Sequence, residues 1–137
     1  MLAKNSLSLA EAKAIAEAAC ISAGEKKVCI SVAVVDVTTY AQVTMRMDGA
    51  PLMSAQGALD KAVSSAEGGH PTTFFEKPLN AGRISMLKLP HTPIEGGLPV
   101  IVNGQCVGAV GVGGAPPSVD AQIAQEAIES FLKEFKE

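Results

Sequence analysis

The run from Leu98 to Gly114 restricts the possible folds more than any other part of this chain. It reads Leu98-Pro99-Val100-Ile101-Val102, then Asn103-Gly104, then Gln105-Cys106-Val107-Gly108-Ala109-Val110-Gly111-Val112-Gly113-Gly114. Asn-Gly between apolar, β-branched flanks predicts a hairpin closed by a two-residue type I′ turn, because both central residues of that turn need positive φ. Glycines at 108, 111, 113 and 114 strip side chains from the second strand. Glycine weakens a strand interior, so the pattern implies that another backbone, a packed helix or a ligand comes close to it.

The elements around the hairpin follow from periodicity. Ser8-Leu9-Ala10-Glu11 is a capping box, and Leu9, Ala12, Ile15, Ala16, Ala19 and Ala23 recur at helical spacing behind it, with Gly24 expected as the left-handed end. Val28 to Val37 is an apolar run of the kind a central strand shows, closing at Asp36. Thr39 to Met47 alternates, with Ala41, Val43, Met45 and Met47 on one face and Gln42, Thr44 and Arg46 on the other. Ala55, Leu59, Ala62, Val63 and Ala66 mark a second helix ended by Gly68-Gly69. From His70 to Gly97 the signals weaken, leaving a short helix around Phe74 to Lys77 and a short strand at Ile84 to Leu87 as expectations. The last helix starts at an expected Ser118 N-cap and carries Ile123, Ala127, Ile128, Phe131, Leu132 and Phe135 as its stripe. Strands and helices do not alternate strictly, which predicts a single mixed α/β (α+β) domain built on a mainly antiparallel sheet.

Composition excludes several function classes. A net charge of −3 with no basic run longer than Lys26-Lys27 gives no footprint for nucleic acid, and only 4% aromatic residues leaves few stacking platforms for single strands. No stretch has the length needed to span a bilayer, and no secretory leader is evident near Met1, so no membrane partner is expected. Cys20, Cys29 and Cys106 are odd in number and lack metal-ligand spacing, which points to a reducing, cytoplasmic setting with no metal site. Gly108-x-x-Gly111-x-Gly113-Gly114 lacks the strand-to-helix context of a dinucleotide fingerprint.

Val34-Val35-Asp36, Arg46-Met47-Asp48-Gly49-Ala50-Pro51, Lys61-Ala62, and Glu95-Gly96-Gly97-Leu98-Pro99 leading into Gly108 to Pro116 together resemble the GlcG/HbpS-like family of haem-degrading and PduO C-terminal-like domains. The resemblance implies a PAS- or profilin-like domain with a five-stranded antiparallel sheet, assembled into homo-oligomers from tetramers to octamers. It also implies haem as a possible cofactor, since several members bind it and some degrade it or sense redox stress through it. Two departures stand out. Val37-Thr38-Thr39 replaces a glycine-rich turn, and the first helix has no histidine where the PduO-type domain is thought to place its haem ligand.

Haem needs an axial side chain and an apolar slot, and His70 and His91 are the only imidazoles. A separate reading rests on polar groups expected to converge: Asp36, Arg46 and Asp48 at strand ends, Lys61 on the second helix, and Glu95 before the hairpin. Arg46 offers a planar fork for a carboxylate, Lys61 a point charge, and Glu95 or His91 a proton-transfer group, while Gly113 and Gly114 can present amides to an anion ahead of the last helix. That set suits a small anionic metabolite. Two functions are therefore expected as alternatives: a haem- or small-molecule-binding accessory protein, or a cofactor-independent isomerase, tautomerase or lyase acting on a small carboxylated intermediate. The plain structural alternative is that these charges brace turns and subunit contacts.

Overall fold

The computed structural model describes residues 1–135. In order, the elements are α1 (Leu9–Glu25), β1 (Ser31–Asp36), β2 (Ala41–Arg46), α2 (Ser54–Gly68), α3 (Thr73–Asn80), a short 3₁₀ helix (Ile84–Lys88), β3 (Gly97–Val102), β4 (Gln105–Gly113) and α4 (Pro117–Glu134). Among the described residues the sheet has four strands in the order β2-β1-β4-β3, every neighbouring pair antiparallel. The α+β class stands, but the expected fifth strand does not form. Ile84 to Leu87 is helical instead, because its amides close local turns, Met86 N to the Arg83 carbonyl and Leu89 N to the Met86 carbonyl.

The capping box is present as expected, with Ser8 N donating to Glu11 Oε1 at 2.8 Å and Glu11 N to Ser8 Oγ at 3.2 Å. Asn103 and Gly104 have φ of 51° and 76°, as a type I′ turn requires. Gly69, at φ 69°, ends α2. Two helix ends lie elsewhere than expected. α1 continues past Gly24, and Lys27 takes the left-handed conformation with φ 59°. α4 begins at Pro117, with Pro116 rather than Ser118 at its cap, since a proline's fixed φ suits a first helical position. The unusual turn after Asp36 holds Thr39 at φ 71°, a region glycine occupies more cheaply.

The sheet separates two different layers. On one side α1 and α4 pack over Val32 and Val34 of β1, Val100 of β3 and Val110 and Val112 of β4, with Ile15, Ile123 and Phe131 filling the space. On the other side α2 lies on Ala33 and Val35 of β1 and Ala109 of β4, through Ala58 and Ala62. The strand glycines explain that second contact. A Cβ on Gly111 would sit 1.9 Å from the Ala58 carbonyl oxygen, and one on Gly97 would sit 2.4 Å from the Lys61 carbonyl oxygen. At Gly111 and Gly113 the packed helix makes the close approach, whereas Gly108 and Gly114 face the backbone of Val35 and Cys29. Leu59 and Val63, counted in the expected stripe of α2, are only partly buried; the sheet-facing side is Ser54, Ala58, Lys61, Ala62 and Ser65.

Candidate functional site

The α2 side of the sheet collects most of the buried polar residues: Ser31, Ser54, Lys61, Ser64, Ser65, Thr72 and Asp120. At its centre is an ion pair. Lys61 is 6% exposed and Asp120 is 1% exposed, and Lys61 Nζ lies 3.2 Å from Asp120 Oδ2. Lys61 Nζ also donates to the Val112 carbonyl at 3.0 Å, and Asp120 Oδ1 accepts from Ala115 N at 3.0 Å. Burial pushes the Asp120 carboxyl up from the ordinary carboxylate value, and the Lys61 charge and the Ala115 amide oppose that push. The Glu95-Gly96-Gly97 stretch covers the pair on one side. A Cβ on Gly96 would sit 2.7 Å from Lys61 Nζ, so side-chain-free backbone there lets the start of β3 press directly on the lysine.

Over this pair lies a cavity of about 320 Å³ whose walls include Met53, Gly57, Ile94, Gly113, Gly114 and Pro117. Gly57 sits inside α2, where glycine costs ~1 kcal/mol relative to alanine, and an added Cβ would have no atom within 4 Å.

A second feature lies on the outward side of α2. His91 stacks on Phe75 with ring centroids 3.9 Å apart, and both of its ring nitrogens are buried without a hydrogen-bond partner. It borders a groove of about 410 Å³ with Leu59, Val63, Leu89 and Pro90 as apolar walls and Asp60, Ser64 and Thr92 as polar ones. The Thr92 amide ties this loop to α2 by donating to Ser64 Oγ at 2.7 Å. His70 is exposed beyond the end of α2, stacked on Phe74 at 4.1 Å.

The sequence-derived constellation is only partly assembled. Lys61, Gly113 and Gly114 share the cavity. Glu95 borders it through its neighbours Ile94 and Gly96, and its amide donates to Glu76 Oε1 at 2.7 Å. Asp36 and Arg46 do not meet. Arg46 pairs with Ser31 at the start of β1 while Asp36 ends that strand, so five strand residues, roughly 16 Å, separate them. Asp36 holds its own turn by accepting from Thr38 N at 2.8 Å, and Arg46 and Asp48 are exposed on the β2 edge. The anion clamp expected of Arg46 is thus not part of the Lys61 cavity.

Asp120 was not expected. Its signal is a carboxylate at the head of the buried α4 series Asp120, Ile123, Ala124, Ala127, a position where a charge has to find a partner. Among the described residues no cluster of three or more His, Cys, Asp or Glu side chains is placed to hold a metal ion, and no helix is long and apolar enough to cross a membrane.

Known proteins resemble this chain in sequence and in fold. The family model described as "Haem degrading protein HbpS-like" matches residues 7–129. Protein GlcG of Escherichia coli K12 is 37% identical over 100 residues, 69% of this chain and 75% of GlcG. Klebsiella pneumoniae protein ORFY superposes with a TM-score of 0.91 at 29% identity, over 99% of this chain and 97% of its own. The chain in the PduOC–haem complex superposes with a TM-score of 0.82 at 27% identity, over 91% of this chain and 94% of its own.

Proposed function

This chain belongs to the HbpS-like family, and on that premise we propose that it is a haem-binding accessory protein working as a homo-oligomer. Haem requires an axial His, Cys, Met or Tyr beside an apolar slot. A cavity of about 460 Å³ between the N-terminal segment, the hairpin and α4 has Leu7, Val102, Phe131 and Phe135 among its walls but none of those four ligand types. Cys20 on α1 is a poor thiolate, since burial and Glu17 push its thiol up. The groove at His91 fits better, and the single observation that carries the reading is the pair of orphaned imidazole nitrogens beside Leu59, Val63, Leu89 and Pro90.

An unpartnered buried polar atom costs about 1–3 kcal/mol, so His91 is held at a penalty that an iron–nitrogen bond would relieve at one of its two nitrogens. Both nitrogens are shut off from solvent, and ligation requires the Leu89 to Thr92 segment to turn the ring outward. Bound haem would supply redox and oxygen chemistry. The protein's part is the imidazole, the apolar walls and the exclusion of water.

Assembly rests on the same segment. Phe74, Ile84, Leu87 and Leu89 are 52%, 72%, 63% and 49% exposed, and an exposed apolar stretch of this kind suits a contact with another copy of the chain. The resemblance sets tetramer to octamer as the expected range. The free cysteines fit a reducing cytoplasm.

The test is an absorbance titration with haemin. The wild-type chain and His70→Ala should show a saturable one-to-one Soret shift, and His91→Ala should lose it. An unchanged shift in His91→Ala, or loss in His70→Ala, removes the groove assignment. No saturable shift in any form removes haem binding itself.

A further inference from the structure

We infer that the cavity over Lys61 is a second ligand site, separate from the His91 groove, and that its ligand is a small organic acid with an apolar body. The polar floor sets the sign of the ligand's charge. An ammonium has three N–H donors, and two of those on Lys61 are taken by Val112 O and Asp120 Oδ2; the third has no acceptor among the described residues. Both Asp120 oxygens already accept a hydrogen bond. What remains to be satisfied is a cationic donor, so a carboxylate is welcome there and an amine is not.

The walls set the rest of the ligand. Pro51, Met53, Ile94 and Pro117 are apolar, and Gly57, Gly113 and Gly114 contribute backbone alone. Gly57 is the telling residue. Gly97 and Gly111 are glycines because a Cβ would strike backbone, whereas a Cβ on Gly57 would meet nothing within 4 Å. Packing of this chain does not require glycine there, and the position opens onto the cavity.

The experiment titrates the full ¹⁵N-labelled chain, without haem, with benzoate and with its neutral counterpart benzamide, following amide shifts. Benzoate should give saturable shifts at Gly57, Gly113, Gly114 and Ile94, and benzamide should bind at least tenfold more weakly. Gly57→Leu places a side chain in the cavity and leaves both charged residues in the chain, and should abolish binding while keeping a native spectrum. Lys61→Met should weaken benzoate at least tenfold. His91→Ala should bind benzoate as the wild type does, which separates this site from the haem reading.

Equal binding of benzoate and benzamide, or wild-type affinity in Gly57→Leu, overturns the proposal. So does a shift of these same amides on dilution without benzoate, which would show that a second copy of the chain fills the cavity.

Discussion

The two faces of the sheet are built on different principles, and α4 makes the contrast measurable because it carries a carboxylate for each. Toward α1 the core is branched aliphatic and aromatic, and the ion pair beside it, Lys26–Glu126 at 2.6 Å, is partly exposed. Toward α2 the core is alanine and glycine, and the ion pair, Lys61–Asp120, is buried. The first face gains its stability from apolar area. The second brings a helix backbone against strand backbone, leaves little apolar volume, and hosts most of the buried polar groups. A buried pair is weak evidence of stability, since apolar replacements of the same shape often do as well.

The comparison can be broken most forcefully at the helix–strand contact. Gly111→Val should abolish or nearly abolish folding, because the first added carbon already overlaps the Ala58 carbonyl, beyond the ~1–3 kcal/mol of ordinary overpacking; a circular dichroism melt checks this. Lys61→Met should cost about 3–5 kcal/mol in urea unfolding by stranding Asp120, and adding Asp120→Leu should recover most of it. On the opposite face, Ile123→Ala should cost about 2–5 kcal/mol with no effect on haem or benzoate binding. Lys26→Met should cost under about 1 kcal/mol.

The two carboxylates should also respond oppositely to pH. Hydrogen bonds from Lys26 and Ser22 hold Glu126 below its ordinary value, so its contribution is present above the carboxylate range and is lost as pH falls through the lowered folded value. Asp120 is raised, so its contribution is full below that range and is lost as pH rises through the raised folded value. Unfolding free energy measured across the acid range should therefore fall less steeply on acidification in Glu126→Gln and more steeply in Asp120→Asn.

Local signals were readable in the sequence and long-range partnerships were not. Ser8 and Glu11, Asn103-Gly104 and Gly69 each encode their structure within a few residues, so helix start, hairpin turn and helix end follow directly. The β4 glycines announce a close approach, although only the fold shows that α2 makes it at Gly111 and Gly113 and β1 at Gly108. Ile84 to Leu87 misled because a short apolar run between glycine and proline reads equally as strand or turn. Asp36 and Arg46 looked convergent because both end strands, but antiparallel pairing puts those ends apart. Lys61, Gly113 and Gly114 were legible as polar or side-chain-free exceptions to their surroundings. Asp120 stayed hidden inside an otherwise ordinary amphipathic helix.

The central claim is that ligand chemistry belongs to the α2 face. Hydrogen exchange of the full chain with and without one equivalent of haemin tests it most directly. Added protection should fall on α2 and the segment from Lys88 to Gly97, leaving α1 and α4 unchanged. Protection centred on α1, Phe131 and the hairpin instead would put the haem in the opposite cavity and contradict the account.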